Sequence, residues 1–241
     1  MKEFVLFLCL LFAGFNAQAF IINGEEKSIG NGTAWAFADV TSEGFPKAVG
    51  MAFTEGALQG LPHDMQIVEL FLPSVLNIPP YSHMNLDWNP HGHVPDGVYN
   101  VPHFDFHFFF IPPEVQKAIT CMGEDAAVCL TQPSPEEIPP FYVPTPEGVP
   151  AMGWHWVDSR APEFNGGKFT STMIYGFYAG DMNFVEPMIT REFFLSKKSH
   201  HANIPTPLHY AKNGIYPTSY SVTFNSIEKV YYVTMKNTQS K

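Results

Sequence analysis

Residues 88–110 read WNPHGHVPDGVYNVPHFDFHFFF, and the second half of that stretch alternates strictly. Successive side chains of an extended strand point to opposite faces. His103, Asp105 and His107 therefore share one face, and Phe104, Phe106 and Phe108 take the other. Three phenylalanines on one side force that side against another layer. Such a strand belongs to a sheet with a packed partner, and the rest of the chain agrees. Proline accounts for 22 of 241 residues, well above the average usage of about 5%. That density breaks long helices and favours short strands and turns.

Outward from this strand, 33–40 and 47–54 flank the turn-like Ser42-Glu43-Gly44 and read as a hairpin. A strand is expected at 65–72, ended by Pro73. Segments 169–178 and 182–189 are joined by Ala179-Gly180-Asp181, and 219–224 and 228–235 form a last pair. A short helix fits 113–122, with Pro113 at its first position and Glu114 suited to the helix dipole. Seven prolines fall between 133 and 150. Phe141 and Tyr142 among them favour a packed, extended arm over a free linker. The expected fold is mainly β, a β-rich α+β domain. It has antiparallel sheets or a barrel-like sandwich, one or two short helices and a proline-rich arm at 133–150.

Residues 1–19 have the form of a signal peptide: basic Met1-Lys2, an apolar run over 4–15, and Ala17-Gln18-Ala19 at the cleavage position. The run is too short for a membrane anchor. The expectation is export to the periplasm or the medium, with cleavage near Ala19 and one domain over 20–241. The mature chain then keeps two cysteines, Cys121 and Cys129. In an oxidising compartment they are candidates for a disulfide, with free thiols or a soft-metal pair as alternatives. A formal charge of −10 argues against a nucleic-acid partner.

Five of the ten histidines lie close together: His83, His91, His93, His103 and His107. Imidazoles with an interleaved aspartate are the ligand set of a divalent first-row metal, zinc foremost, with iron, manganese or copper as alternatives. Spacing limits the arrangement. Residues i and i+2 of a strand are about 6.7 Å apart and can share an ion, whereas His103 and His107 are about 13 Å apart. The turn material Pro95-Asp96-Gly97 lets 91–93 fold back beside 100–105, offering a second source of imidazoles. His93, His103, His107 and His155 are the expected ligands. Asp105 and His91 are expected as further ligands or as groups that orient them. Glu186 is the nearest candidate for a general base. Trp88, Trp154 and Trp156 suggest a partly apolar small-molecule substrate around the site. His200, His201 and His209 are expected in solvent.

Several blocks are similar to a small family of secreted bacterial proteins known only as a domain of unknown function. They are Leu-Pro at 61–62, Trp-Asn-Pro-x-Gly-His-x-Pro at 88–95, Pro-His-Phe-Asp-Phe-His-Phe at 102–108, Met-Gly-x-His-Trp-Val-Asp at 152–158 and Glu-Pro-Met-Ile-Thr at 186–190. The resemblance spans roughly 33–195. It implies export, a β-rich fold and a tendency to self-associate as a homo-oligomer, and it favours His93, His103, His107 and His155 over His91 or His200. It implies no reaction. Two readings follow: an exported metal-binding protein, which an open coordination position would make a metal-dependent enzyme, or a non-catalytic self-associating protein with packing or interface histidines.

Overall fold

The computed structural model describes residues 20–236 and 239–240, so the leader expected at 1–19 lies outside the described residues. The first half of the chain forms β1 (Phe20–Asn23), β2 (Lys27–Ile29), β3 (Gly32–Val40), β4 (Pro46–Thr54), β5 (Gln66–Leu70), β6 (His83–Asn89) and β7 (His103–Phe109). Two short helices, α1 (Pro113–Ala118) and α2 (Asp125–Cys129), precede β8 (Tyr142–Val149), β9 (Gly153–Asp158), β10 (Ser171–Tyr178) and β11 (Asp181–Thr190). Helix α3 (Arg191–Leu195) then leads to β12 (His200–Asn203), β13 (Ile215–Tyr216), β14 (Ser219–Asn225), β15 (Val230–Lys236) and β16 (Gln239–Ser240).

These strands make two antiparallel sheets. One has the order β1-β3-β4-β15-β14-β12, with β2 also pairing β3, and the other runs β5-β6-β7-β11-β10-β9-β8. Strands β13 and β16 pair separately. The sheets stack face to face, because the alternating apolar residues of each must leave water. Phe53 of β4 stacks at 5.9 Å on Phe104 and 6.2 Å on Phe106 of β7. Phe194 of α3 closes on it edge-on at 5.0 Å. Ala34, Ala36, Met51, Val233 and Met235 face this core from the first sheet, and Met84, Leu86, Trp88, Tyr175 and Phe177 from the second.

Both large sheets stay open, so the sandwich is formed and the barrel closure is not. Their edges are β1 and β12 in one and β5 and β8 in the other. The described residues hold three short α-helices instead of one or two. The helix starting at Pro113 stops at Ala118, and α2 and α3 were not expected. Helix α3 begins where the Thr190 hydroxyl accepts from the Phe193 amide at 3.2 Å, an N-cap that a sequence ending in a strand hides. The proline-rich segment does pack: its second part is β8, an edge strand whose pairing with β9 breaks between Pro144 and Gly148. An edge is where a sheet tolerates residues without an amide donor.

A second, smaller core covers the other face of the second sheet. Tyr99, Ile111, Ile119 and Phe169 pack there on Phe109, Phe184, Ile174, Val157 and Met188. The polar face of β7 therefore points outward from the sandwich, yet lies buried under connecting segments.

Candidate metal centre

All seven residues of β6 and all seven of β7 are buried. On the outward face β6 carries His83, Asn85, Asp87 and Asn89. The register sets Asn85 across from His107, Asp87 across from Asp105 and Asn89 across from His103. On the other side of β7, the pairs Val185↔Phe108 and Met188↔Asp105 bracket Glu186 and place it beside His107. His155 of β9 is across from Gly176 of β10, whose own partner is Phe184. A Cβ at Gly176 would run into the Phe184 ring. The missing side chain lets that ring lie flat enough to touch both His107 (5.0 Å) and His155 (5.1 Å).

These side chains form two groups of three. In the first, His93, His103 and Asp105 bring one ligand atom each to within 4.8 Å of the others. His103 Nδ1 lies 2.7 Å from the Val101 carbonyl, and His93 Nδ1 lies 2.8 Å from the Val94 carbonyl. A carbonyl only accepts, so both rings carry their proton on Nδ1. Their Nε2 lone pairs then face the same carboxylate, His103 at 3.1 Å from Asp105 Oδ1 and His93 at 3.4 Å from Oδ2. The Asn89 amide donates to Asp105 Oδ2 at 2.7 Å, while His103 Nε2 and Asp105 Oδ1 are buried without an aligned hydrogen bond. His93 arrives on the 90–102 connection. Gly92 turns it with φ of +67°, and a Cβ there would meet the Tyr99 carbonyl.

The second group is His107, His155 and Glu186, again with ligand atoms within 4.8 Å of one another. Glu186 Oε2 is 3.5 Å from His107 Nε2 and 3.7 Å from His155 Nε2. The other nitrogen of His107, Nδ1, is 3.2 Å from Asp87 Oδ2. A carboxylate on the far nitrogen is how metal-binding imidazoles are commonly oriented. Both Asp87 oxygens, both His107 nitrogens and Glu186 Oε2 are buried and lack an aligned hydrogen bond.

Lone pairs facing carboxylate oxygens repel unless something positive sits between them. In the cation-free chain that role falls to protons. Burial lowers His93, but Asp105 outweighs it and lifts the imidazole to about 9. Burial likewise opposes His107, which Glu186 and Asp87 raise to about 9. Burial pushes Glu186 up to about 8 against the pull of His107. Burial, reinforced by the charge of His107, depresses His155 to about 3 and leaves it neutral. Burial raises Asp105 too, yet His103 and His93 hold it well below the usual carboxylate range. A divalent cation can replace protons in either group, because neutral imidazole and carboxylate are its ordinary ligands.

Comparison with known proteins adds a name but no chemistry. Residues 41–88 match the family described as TTHB210-like, hypothetical protein TTHB210. That stretch runs from the β3–β4 turn into β6 and ends before every member of the two groups. No curated protein and no solved structure matches the chain.

The expected ligands His93, His103, His107 and His155 are thus brought to one face, in two groups of two. Asp105 completes the first and Glu186 the second. His91 is exposed and belongs to neither. The tryptophans are elsewhere: Trp88, Trp154 and Trp156 point inward to the core between the sheets. Residues i and i+1 of a strand face opposite ways, so His155 looks outward while its neighbours look in. Phe109, Phe169 and Phe184 form the aromatic walls instead. His200 begins β12 and contacts the Tyr220 hydroxyl at 3.0 Å, so it is not in a solvent loop, whereas His201 and His209 are exposed. Cys121 and Cys129 are joined in a disulfide. Sequence reasoning missed Asp87 and Asn89, although β6 alternates as strictly as β7.

Proposed function

We propose that this is an exported metal-binding protein whose buried polar face on β6, β7, β9 and β11 holds a divalent first-row cation. One observation carries the reading: His93 and His103 each spend their ring proton on a backbone carbonyl and aim the remaining lone pair at a buried carboxylate. Two imidazoles and a carboxylate suit zinc first, with iron and manganese close behind. Three protein donors also leave coordination positions open, as in metal sites that bind small molecules or activate water. Export is supported by the leader-like 1–19 and by the Cys121–Cys129 bond. Among the described residues no helix is long and apolar enough to cross a membrane.

The test is elemental analysis by plasma mass spectrometry of untagged, exported protein, beside the His103→Ala/His107→Ala double variant and the near-isosteric Asp105→Asn. Near-UV circular dichroism establishes that each variant is folded. Stoichiometric metal in the wild type, lost in the folded double variant and reduced in Asp105→Asn, is the expected result. Full retention of metal in the folded double variant would overturn the reading.

A further inference from the structure

One cation cannot serve all six donors. The β6–β7 ladder runs without a register shift from His83↔Phe109 to Asn89↔His103. His103 and His107 are therefore separated by the full four-residue rise, about 13 Å between Cα atoms. Each carries its own carboxylate and its own second imidazole.

The two groups also differ in charge. A divalent cation at His107, His155 and Glu186 meets two negative charges, from Glu186 itself and from Asp87 on the far nitrogen of His107. That site is balanced. A divalent cation at His93, His103 and Asp105 meets one. Asp105 is its sole carboxylate, one oxygen of which is already bonded by Asn89, and both imidazoles lean on neutral carbonyls. Glu163 accepts from the Tyr99 hydroxyl at 3.3 Å and is not a member of the group. One positive charge is left over at the group that is nearer to water. The His93 side chain is 38% exposed, against 14% for His155 and 2% for Glu186.

We propose that the chain holds two divalent cations in unequal sites: an enclosed, charge-balanced one at His107, His155 and Glu186, and an outer one at His93, His103 and Asp105 that takes a small anion from solvent as a further ligand. This rests on the metal-binding reading above and adds number, inequality and ligand class to it. The outer site is the one at which an anionic small molecule exchanges. The enclosed site keeps its ion and holds β7, β9 and β11 together.

The experiment uses the mature protein, stripped with chelator and reloaded with zinc for stoichiometry or with cobalt for visible spectra. Wild type should take up two equivalents, and a chelator should remove one about tenfold faster than the other, or more. His93→Ala lies on an exposed connection and should fold. It should retain one equivalent, the slowly lost one. Glu186→Gln should instead lose the slow one. Azide should change the spectrum of the cobalt-loaded wild type and leave that of cobalt-loaded His93→Ala unchanged. A wild type that binds one equivalent overturns the two-site proposal and leaves the metal-binding reading standing. No metal at all removes both. Two equivalents with an undiminished azide response in His93→Ala place the anion at the enclosed site and overturn the assignment.

Discussion

Asp87 touches no ligand atom of the second group; it stands behind one. Its Oδ2 is 3.2 Å from the nitrogen of His107 that faces away from Glu186. Its partner across the ladder is Asp105. Burial pushes its carboxyl up, and His107 opposes that shift. Its value to the site is its charge, which raises the basicity of His107 and fixes the ring. Asp87→Asn keeps the shape and removes the charge. Zinc affinity at the second group should then fall by about tenfold, the lower end of what such positioning residues contribute. The first group should keep its affinity. Competition with a chromophoric chelator reads both steps, and an unchanged second step would show that Asp87 does not act on His107. At this scale the sequence was informative where alternation was conspicuous. The donors His103, Asp105 and His107 follow from one line of text. Asp87 was not seen because an aspartate between Leu86 and Trp88 looks like an isolated charge until its strand is recognised. The tryptophans misled for the same reason, since adjacency in sequence is opposition in a strand.

The strand-level reading worked best for hairpins with a marked turn. Strands β3, β4, β10, β11, β14 and β15 fall close to their expected spans. Strand β6 was the loss, although Met84, Leu86 and Trp88 alternate with His83, Asn85, Asp87 and Asn89. Its polar positions resemble a loop until a cover for them is known, and part of that cover is as distant as Gln116, whose side chain meets the His83 ring at 2.8 Å. Helix α2 was hidden differently, because its stability is local and polar. Asp125 accepts from the Thr120 and Cys121 amides at 2.8 Å each and from the Tyr178 hydroxyl, tying the disulfide loop to β10. The Tyr178 bond, followed by the two amides, depresses its carboxyl to about 2. The sign follows from that direction. A depressed carboxylate stabilises fully above its unfolded value near 4, and the contribution is lost as pH falls towards 2. Wild type should therefore melt higher than Asp125→Asn at pH 5, and the gap should narrow steadily towards pH 2. A gap independent of pH would remove the charge from this account.

Across the whole molecule, the two sheets supply stability and the outward polar face consumes some of it. Buried carboxylates and imidazoles without aligned partners cost free energy in a fold that a core of phenylalanines holds together. The cost is tolerable if a ligand that binds only the folded chain repays it. At a free metal concentration of about 100 times the dissociation constant, such binding stabilises by about 2.7 kcal/mol. For a domain of this length that raises the melting temperature by roughly 5–10 °C. The same account fixes the sign of a second comparison. Glu186→Gln removes a buried carboxyl that the fold pushes up to about 8 and keeps its volume. Without metal and near neutral pH this variant should melt at least as high as the wild type, because a carboxyl raised by burial costs stability once the pH passes its unfolded value of about 4. With saturating zinc the order should reverse, since only the wild type gains at the second group. Differential scanning calorimetry of both proteins, with chelator and with zinc, gives four melting temperatures. A crossing of the two orders identifies the face as a binding site maintained at the expense of stability. If the variant melts lower in both conditions by the same margin, Glu186 serves the fold and not a cation.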